Sequence, residues 1–172
     1  MSAVSIDKEN ASTVALKAVI IFDNRALAAR AITTLENAGN NVGEAIKWDI
    51  KSWEYDVLNR PDLIGVTIAV AANADLIVLA LDRMHNPSDE LLDWLEHWSE
   101  HKLVEDAAIM AFSPDDAQPA FLNELKWFTE WRGLNFLESF DATPRNVIRI
   151  GRLLASGATT AGEPPVISPV VE

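Results

Sequence analysis

LKAVIIF, residues Leu16–Phe22, followed at once by Asp23 and Asn24, decides the fold. A nearly unbroken apolar run of this length fits a strand covered on both faces, the pattern of a central strand in a parallel sheet. Asn24 can cap a helix over Arg25–Ala38, where Leu27, Ala31, Ile32 and Leu35 recur at helical spacing and Gly39 supplies a stop. The chain therefore begins strand, then helix.

The same alternation continues outward. Ala45–Lys51 sets Ile46, Trp48 and Ile50 against Lys47, Asp49 and Lys51, the period-2 pattern of a half-exposed strand near a sheet edge. Asn59 and Pro61 introduce an Ala- and Val-rich helix up to Asn73, interrupted by Gly65 and Thr67. DLIVLAL (Asp75–Leu81) is again a buried strand. Asn86 as cap, Pro87 at the first helical position and Asp89 as an acid in the first turn start a helix that runs to about His101. Asp106–Phe112 reads as a fourth strand, Gln118–Arg132 as a fourth helix closed by Gly133, Leu134–Leu137 as a fifth strand, and Thr143 or Pro144 opens a last helix ending near Leu154. Five strands alternating with five helices predict an α/β fold, a three-layer doubly wound sandwich whose five-stranded parallel sheet has the order 2-1-3-4-5.

Composition fits one such domain. The 172 residues carry 14 Lys+Arg against 26 Asp+Glu, a net charge of −12, and 49% are hydrophobic, well inside the folded range. With no cysteine, disulfide scaffolds, thiolate zinc sites, iron–sulfur clusters and cysteine nucleophiles are excluded together. The net negative charge disfavours phosphate backbones and anionic lipid, so neither nucleic acid nor a membrane surface is expected as a partner. Residues 1–14 are polar with no apolar core and read as an arm rather than a signal peptide, 15–155 as the domain, and 156–172, rich in Gly, Thr and Pro, as a tail. No stretch reaches about 18 uninterrupted apolar residues, and the expected compartment is the cytoplasm.

Three stretches then resemble the response-regulator receiver domain, the phospho-aspartate switch of two-component signalling. AVIIFDNR (Ala18–Arg25) is similar to its first strand with a terminal acidic cluster, and DLIVLALDRMHNPSD (Asp75–Asp89) to its third strand and Pro-containing loop. GLNFLESFDATPRNVIRIGRLL (Gly133–Leu154) is similar to its final strand and helix, and IMAFS (Ile109–Ser113) stands where the family has a strand ending in Ser or Thr.

The resemblance implies carboxylates at the sheet's C-terminal edge that hold Mg²⁺, one of them accepting phosphate, with a Lys and a hydroxyl completing the switch. This chain meets part of that list. Asp23 fits one acid, but Phe22 and Asn24 beside it are not acidic. An ungapped alignment puts the acceptor on Ala80, and Asp82 follows two residues later, on the same face if the strand continues. Where the family has Lys-Pro, this chain has Glu138-Ser139 in a strand one residue shorter, which replaces a cation with an anion; Ser113 keeps the hydroxyl. The implied site is a degenerate one formed by Asp23, Ala80, Asp82, Ser113 and Glu138, with at most weak Mg²⁺ binding at Asp23 and Asp82. Gly43–Ala74 is longer than the family's second strand and helix, and Trp48 and Trp53 have no counterpart there.

Other motifs carry less. His97-Trp98-Ser99-Glu100-His101 is a formal H-x-x-E-H, the inverted zinc-peptidase pattern, but the apolar stripe of that helix is Leu91, Trp94, Leu95 and Trp98, and His97 points away from it. Zn²⁺ at His97 and His101 is thus the weakest reading, and His85 reads as a loop residue. No Gly-rich phosphate motif follows any strand, and Asp23-Asn24-Arg25 has no Gly, so flavodoxin-type flavin mononucleotide is not expected. A haloacid-dehalogenase-like Asp-x-Asp fails because its third position is Arg25.

Six tryptophans in one small domain are unusual. Trp94 and Trp98 fit the core. In the fourth helix Phe121, Leu122, Leu125, Phe128 and Trp131 define a buried face, which Trp127 widens to an arc of about 220°, more than the roughly 100° one contact needs. Trp127 and Trp131 are therefore partner-contact candidates. Between Asp82 and Asp141 there are 14 acids against Arg83, Lys102, Lys126 and Arg132, whereas the last helix puts Arg145, Arg149 and Arg152 on one face. These stripes are complementary in a homodimer or toward another protein. The sequence points to a non-catalytic, receiver-like interaction module acting through its last two helices. A phosphorylatable receiver using Asp82 and Asp23 with Mg²⁺ is the second reading, and a hydrolase built on H-x-x-E-H the third.

Overall fold

A computed structural model describes residues 14–40, 46–82, 87–113 and 119–140. The elements run β1 (Val14–Phe22), α1 (Arg25–Asn40), β2 (Ile46–Glu54), a 3₁₀ turn (Tyr55–Asn59), α2 (Pro61–Ala71), β3 (Leu76–Ala80), α3 (Asp89–His101), β4 (Ala108–Ser113), α4 (Pro119–Arg132) and β5 (Asn135–Phe140). All strands are parallel and their order is β2-β1-β3-β4-β5, as the sequence predicts.

Both faces of the sheet are buried, which is why the central strands read as continuous apolar runs. Val19, Ile21, Ile77, Leu79, Ile109 and Ala111 point to α2, α3 and α4, where they meet Leu91, Trp94, Leu95, Trp98, Phe121 and Leu125. The alternate residues Ala18, Ile20, Leu76, Val78, Ala80, Met110 and Phe112 share a cluster with Leu27, Ala31 and Leu35 of α1. The expected last helix, with Arg145, Arg149 and Arg152, lies outside the described residues, as does His85.

Several boundaries differ from the sequence reading. Gly39 does not end α1. A Cβ there would lie 3.1 Å from the Ile46 carbonyl oxygen and 3.1 Å from Trp48 Nε1, so this glycine lets the helix end press onto β2. β2 continues past Lys51 to Glu54, and Trp53 turns to the face opposite Trp48, packing edge-on to Trp94 at 6.5 Å. The cap of α3 is Ser88, whose hydroxyl accepts the Leu91 N–H at 3.2 Å, and Pro87 precedes the cap instead of opening the helix. Gly133 does close α4: at φ 65° it supports the paired bonds Gly133 N–H to Glu130 and Leu134 N–H to Thr129.

The buried helical tryptophans satisfy their indole N–H groups. Trp94 donates to Thr67 Oγ1 at 3.0 Å and Trp98 to the Ala71 carbonyl at 2.9 Å, which locks α3 against α2 and gives the buried Thr67 its place in an apolar helix.

Candidate functional site

The C-terminal edge of a doubly wound sheet is where the fold gathers loops, and here it gathers acids. Phe22, Ala80 and Phe112 share one register level at the ends of β1, β3 and β4. Asp23 follows β1 directly, and its Oδ1 accepts the backbone N–H of Asp82 at 2.7 Å, tying the loops after β1 and β3 together. β3 ends at Ala80, so Asp82 does not share a strand face with it. Ala80 itself is fully buried on the α1 side.

Glu138 is not the terminal residue of its strand, because β5 runs on to Phe140. It pairs with Ala111, one level inside Ala80 and Phe112, and meets Lys126 Nζ of α4 at 2.7 Å. The anion foreseen at the sheet edge is thus set back and neutralised. Ser113 ends β4, and the structure brings together Asp23 and Asp82 from the predicted set.

Beside Asp23 lies a cleft of about 250 Å³ lined by Phe22, Asp23, Arg25, Glu54, Tyr55 and Asp56. Arg25 Nη2 meets Glu54 Oε1 at 2.6 Å across its mouth, an exposed pair of little energetic weight. Tyr55 shares a hydrogen bond with the Ser88 hydroxyl, which also caps α3. Burial pushes the Tyr55 phenol up, the Ser88 bond opposes this, and the carboxylates of Glu90 and Asp23 reinforce it. Glu90 is held below the usual carboxylate range by a hydrogen bond to its own backbone N–H, with help from the Ser88 hydroxyl. Sequence reading stopped β2 at Lys51 and so missed Glu54, Tyr55 and Asp56. The available signal was the pair Lys51-Ser52, both exposed, after which the apolar phase changes to Trp53.

Solved structures with the same architecture are distant in sequence. The flavodiiron protein from Giardia intestinalis aligns with a TM-score of 0.50 at 11% identity, covering 83% of this chain and 36% of that one. The flavodoxin-like domain from Synechococcus sp. gives 0.45 at 17% identity, covering 79% and 92%, and the rubredoxin oxygen:oxidoreductase from Desulfovibrio gigas gives 0.49 at 9%, covering 84% and 37%. The fold is flavodoxin-like. This chain spans about a third of the Giardia protein. No protein-family model matches the chain, and no curated protein matches it significantly.

Flavodoxin-like sheets that carry flavin mononucleotide hold it outside the β1/β3 switch point, and a helix N-terminus offers its free amides to a phosphate. Among the described residues, the β1–α1 loop does not favour that group. Asn24 Oδ1 already accepts the N–H groups of Ala26 and Leu27 at 2.9 and 3.4 Å, and the loop contributes the Asp23 carboxylate where a phosphate would need donors.

His97 and His101 lie exposed on the outer side of α3, with each Nδ1 2.8 Å from the carbonyl oxygen four residues earlier. Glu100 between them is drawn instead to Arg132 at 3.5 Å. Among the described residues, no three His, Asp or Glu side chains converge as a metal site. No helix among them is long and apolar enough to cross a membrane.

The aromatic surface of α4 is the other feature. Trp131 is not part of the buried face; Thr129 takes that place at 1% exposure, while Trp127 and Trp131 are 64% and 60% exposed. Their rings stack at 5.9 Å and 8°, and the Arg132 guanidinium lies 4.3 Å from the Trp131 centroid. Arg132 is held in turn by Glu96 and Glu100 of α3.

Proposed function

We propose that this chain is a non-catalytic protein-interaction module of flavodoxin-like fold that presents α4 to a protein partner or to a second copy of itself. The observation that carries this reading is the stacked, solvent-facing pair Trp127 and Trp131. Two large apolar rings left in water are costly unless they are covered in use, and tryptophan and arginine dominate the energetic centres of interfaces. Arg132, anchored by Glu96 and Glu100, holds the Trp131 ring in place before binding, which lowers the ordering cost. The receiver-like strands support a signalling context, and the buried Ala80 and the Lys126–Glu138 pair support a site that no longer takes phosphate.

The test is a photo-crosslinking residue placed at position 127 of the chain in its native host, with the exposed Asp49 of β2 as control position. A discrete adduct from position 127 and none from position 49 is expected, whether the captured protein is another or a second copy. Equal labelling from both positions would sink the reading.

A further inference from the structure

The outer end of the α4 aromatic row offers an arrangement that the domain already uses internally. Arg132 lies 4.3 Å from the Trp131 centroid and is paired with the carboxylates of Glu96 and Glu100, and Trp131 stacks on Trp127. Trp127 ends the row, exposed, and no cation among the described residues lies against its ring. Glu124 and Glu130 stand three positions before and after it, which on a helix makes them its surface neighbours. Both are exposed, and neither pairs with a cation among the described residues. An open indole and two unpaired carboxylates therefore occur together. We infer that this face takes an arginine-bearing segment of another protein, one guanidinium laid on Trp127 and held by Glu124 and Glu130, as Arg132 is held on Trp131. The inference rests on α4 being an interaction surface and adds the chemistry of its partner.

Charge complementarity selects the occupant. The cations of α4, Lys126 and Arg132, are engaged by Glu138 and by Glu96 with Glu100, so the charge left uncompensated on this face is negative. An acidic partner or a phosphate-bearing surface is repelled there. A second copy meeting the face isologously would bring Glu124 and Glu130 against their own equivalents, in a chain of net charge −12. Arginine fits better than lysine, because its planar guanidinium stacks on an indole while its N–H groups reach carboxylates at the rim.

The full chain, labelled with ¹⁵N, is titrated at near-physiological ionic strength with a short helical peptide of alanine and leucine bearing arginine on one face. The same peptide with glutamine or with glutamate in place of arginine is titrated separately. Expected are saturable shifts of the Trp127 indole N–H and of the α4 amides around it with the arginine peptide, a midpoint in the millimolar range, and none with the other two. Glu124→Gln combined with Glu130→Gln is expected to weaken the arginine peptide about fivefold. Trp127→Leu, which keeps apolar area but removes the ring face, is expected to weaken it about threefold. The charge-matched control, Glu36→Gln with Asp56→Asn at exposed positions on α1 and the 3₁₀ turn, should change it less than about twofold. Equal binding of the glutamine peptide, equal weakening in the control, or unchanged affinity in either α4 variant would each overturn the inference. A mass that doubles in the wild-type chain and falls back in the Glu124→Gln/Glu130→Gln variant would put a second copy in this place and overturn it too. No shift with the arginine peptide, while a crosslinker at position 127 still captures a partner, overturns this inference alone; no adduct from position 127 removes both readings.

Discussion

The phenolic hydroxyl of Tyr55 is hydrogen-bonded to the hydroxyl of Ser88, so the residue that opens the 3₁₀ turn after β2 and the residue that caps α3 share one polar contact. The two are 33 positions apart. Ser88 Oγ can donate to one neighbour and accept from others, and it accepts the Leu91 N–H while bonded to Tyr55. The contact lies on the wall of the cleft and couples that wall to the start of α3.

Tyr55 is the single tyrosine of the chain, so its ionisation is read directly from absorbance at 295 nm. Burial, with the carboxylates of Glu90 and Asp23 reinforcing it, raises its pKa above the ordinary value near 10. A raised value in the folded state means that the neutral phenol is favoured by folding. Its contribution is fully present below the unfolded pKa of about 10 and is lost as pH rises through the higher folded value. The expected outcome is a titration midpoint above 10 in the native chain that falls to the ordinary value in denaturant. Tyr55→Phe removes this alkaline component of the stability curve.

Glycine positions give opposite signs. Gly65 lies in the interior of α2 with nothing within 4 Å of a built Cβ, so Gly65→Ala should stabilise by about 1 kcal/mol through helix propensity alone. Gly39→Ala gains a similar propensity term but puts a methyl 3.1 Å from a backbone oxygen of β2 that cannot move without the strand. Overpacking of that kind costs about 1–3 kcal/mol, and a net loss of about 1 kcal/mol is expected. Urea midpoints of the two variants check both signs.

Magnesium ion followed by beryllium fluoride, a phosphoryl mimic, should leave tryptophan emission unchanged in both the wild-type chain and Asp82→Asn. The acceptor level of β3 is the buried Ala80, and the strand ends there. Lys126 is held by Glu138 one level inside the edge, on the α4 side of the sheet. A saturable change that Asp82→Asn abolishes would instead establish a working phospho-acceptor.

Much of this architecture was legible because its elements announce themselves locally. A strand buried on both faces must be apolar throughout, as Leu76–Ala80 is, and a helix that closes in a left-handed turn needs Gly133. The site was less legible because its contacts are tertiary. Asp23 and Asp82 are 59 positions apart and Arg25 and Glu54 are 29, and no periodicity encodes such meetings. Edge strand β2 hid its own end, since half-exposed residues tolerate the break in alternation at Lys51 and Ser52. Trp131 was misplaced on the buried arc because helical spacing alone does not distinguish an aromatic at its flank from a core one; Thr129, the less apolar residue, took the place.

The α4 surface makes the last prediction. Trp94 and Trp98 are buried, Trp48 and Trp53 are half-buried, and Trp127 and Trp131 are mostly in water. Acrylamide should therefore quench mainly the last two, and replacing both by Phe should remove most of the quenchable emission. Trp127→Ala should change stability by no more than about 0.5 kcal/mol, as expected of an exposed surface position. Arg132→Ala should cost more, about 1 kcal/mol, because its side chain is 18% exposed and bridges Glu96 and Glu100, two acids of α3 that would then face each other without a cation. It should also raise acrylamide access to Trp131 by removing the guanidinium that lies against the ring. Equal quenching in wild type and Arg132→Ala would show that Arg132 does not order the aromatic pair, and the preorganisation argued for this surface would fall with it.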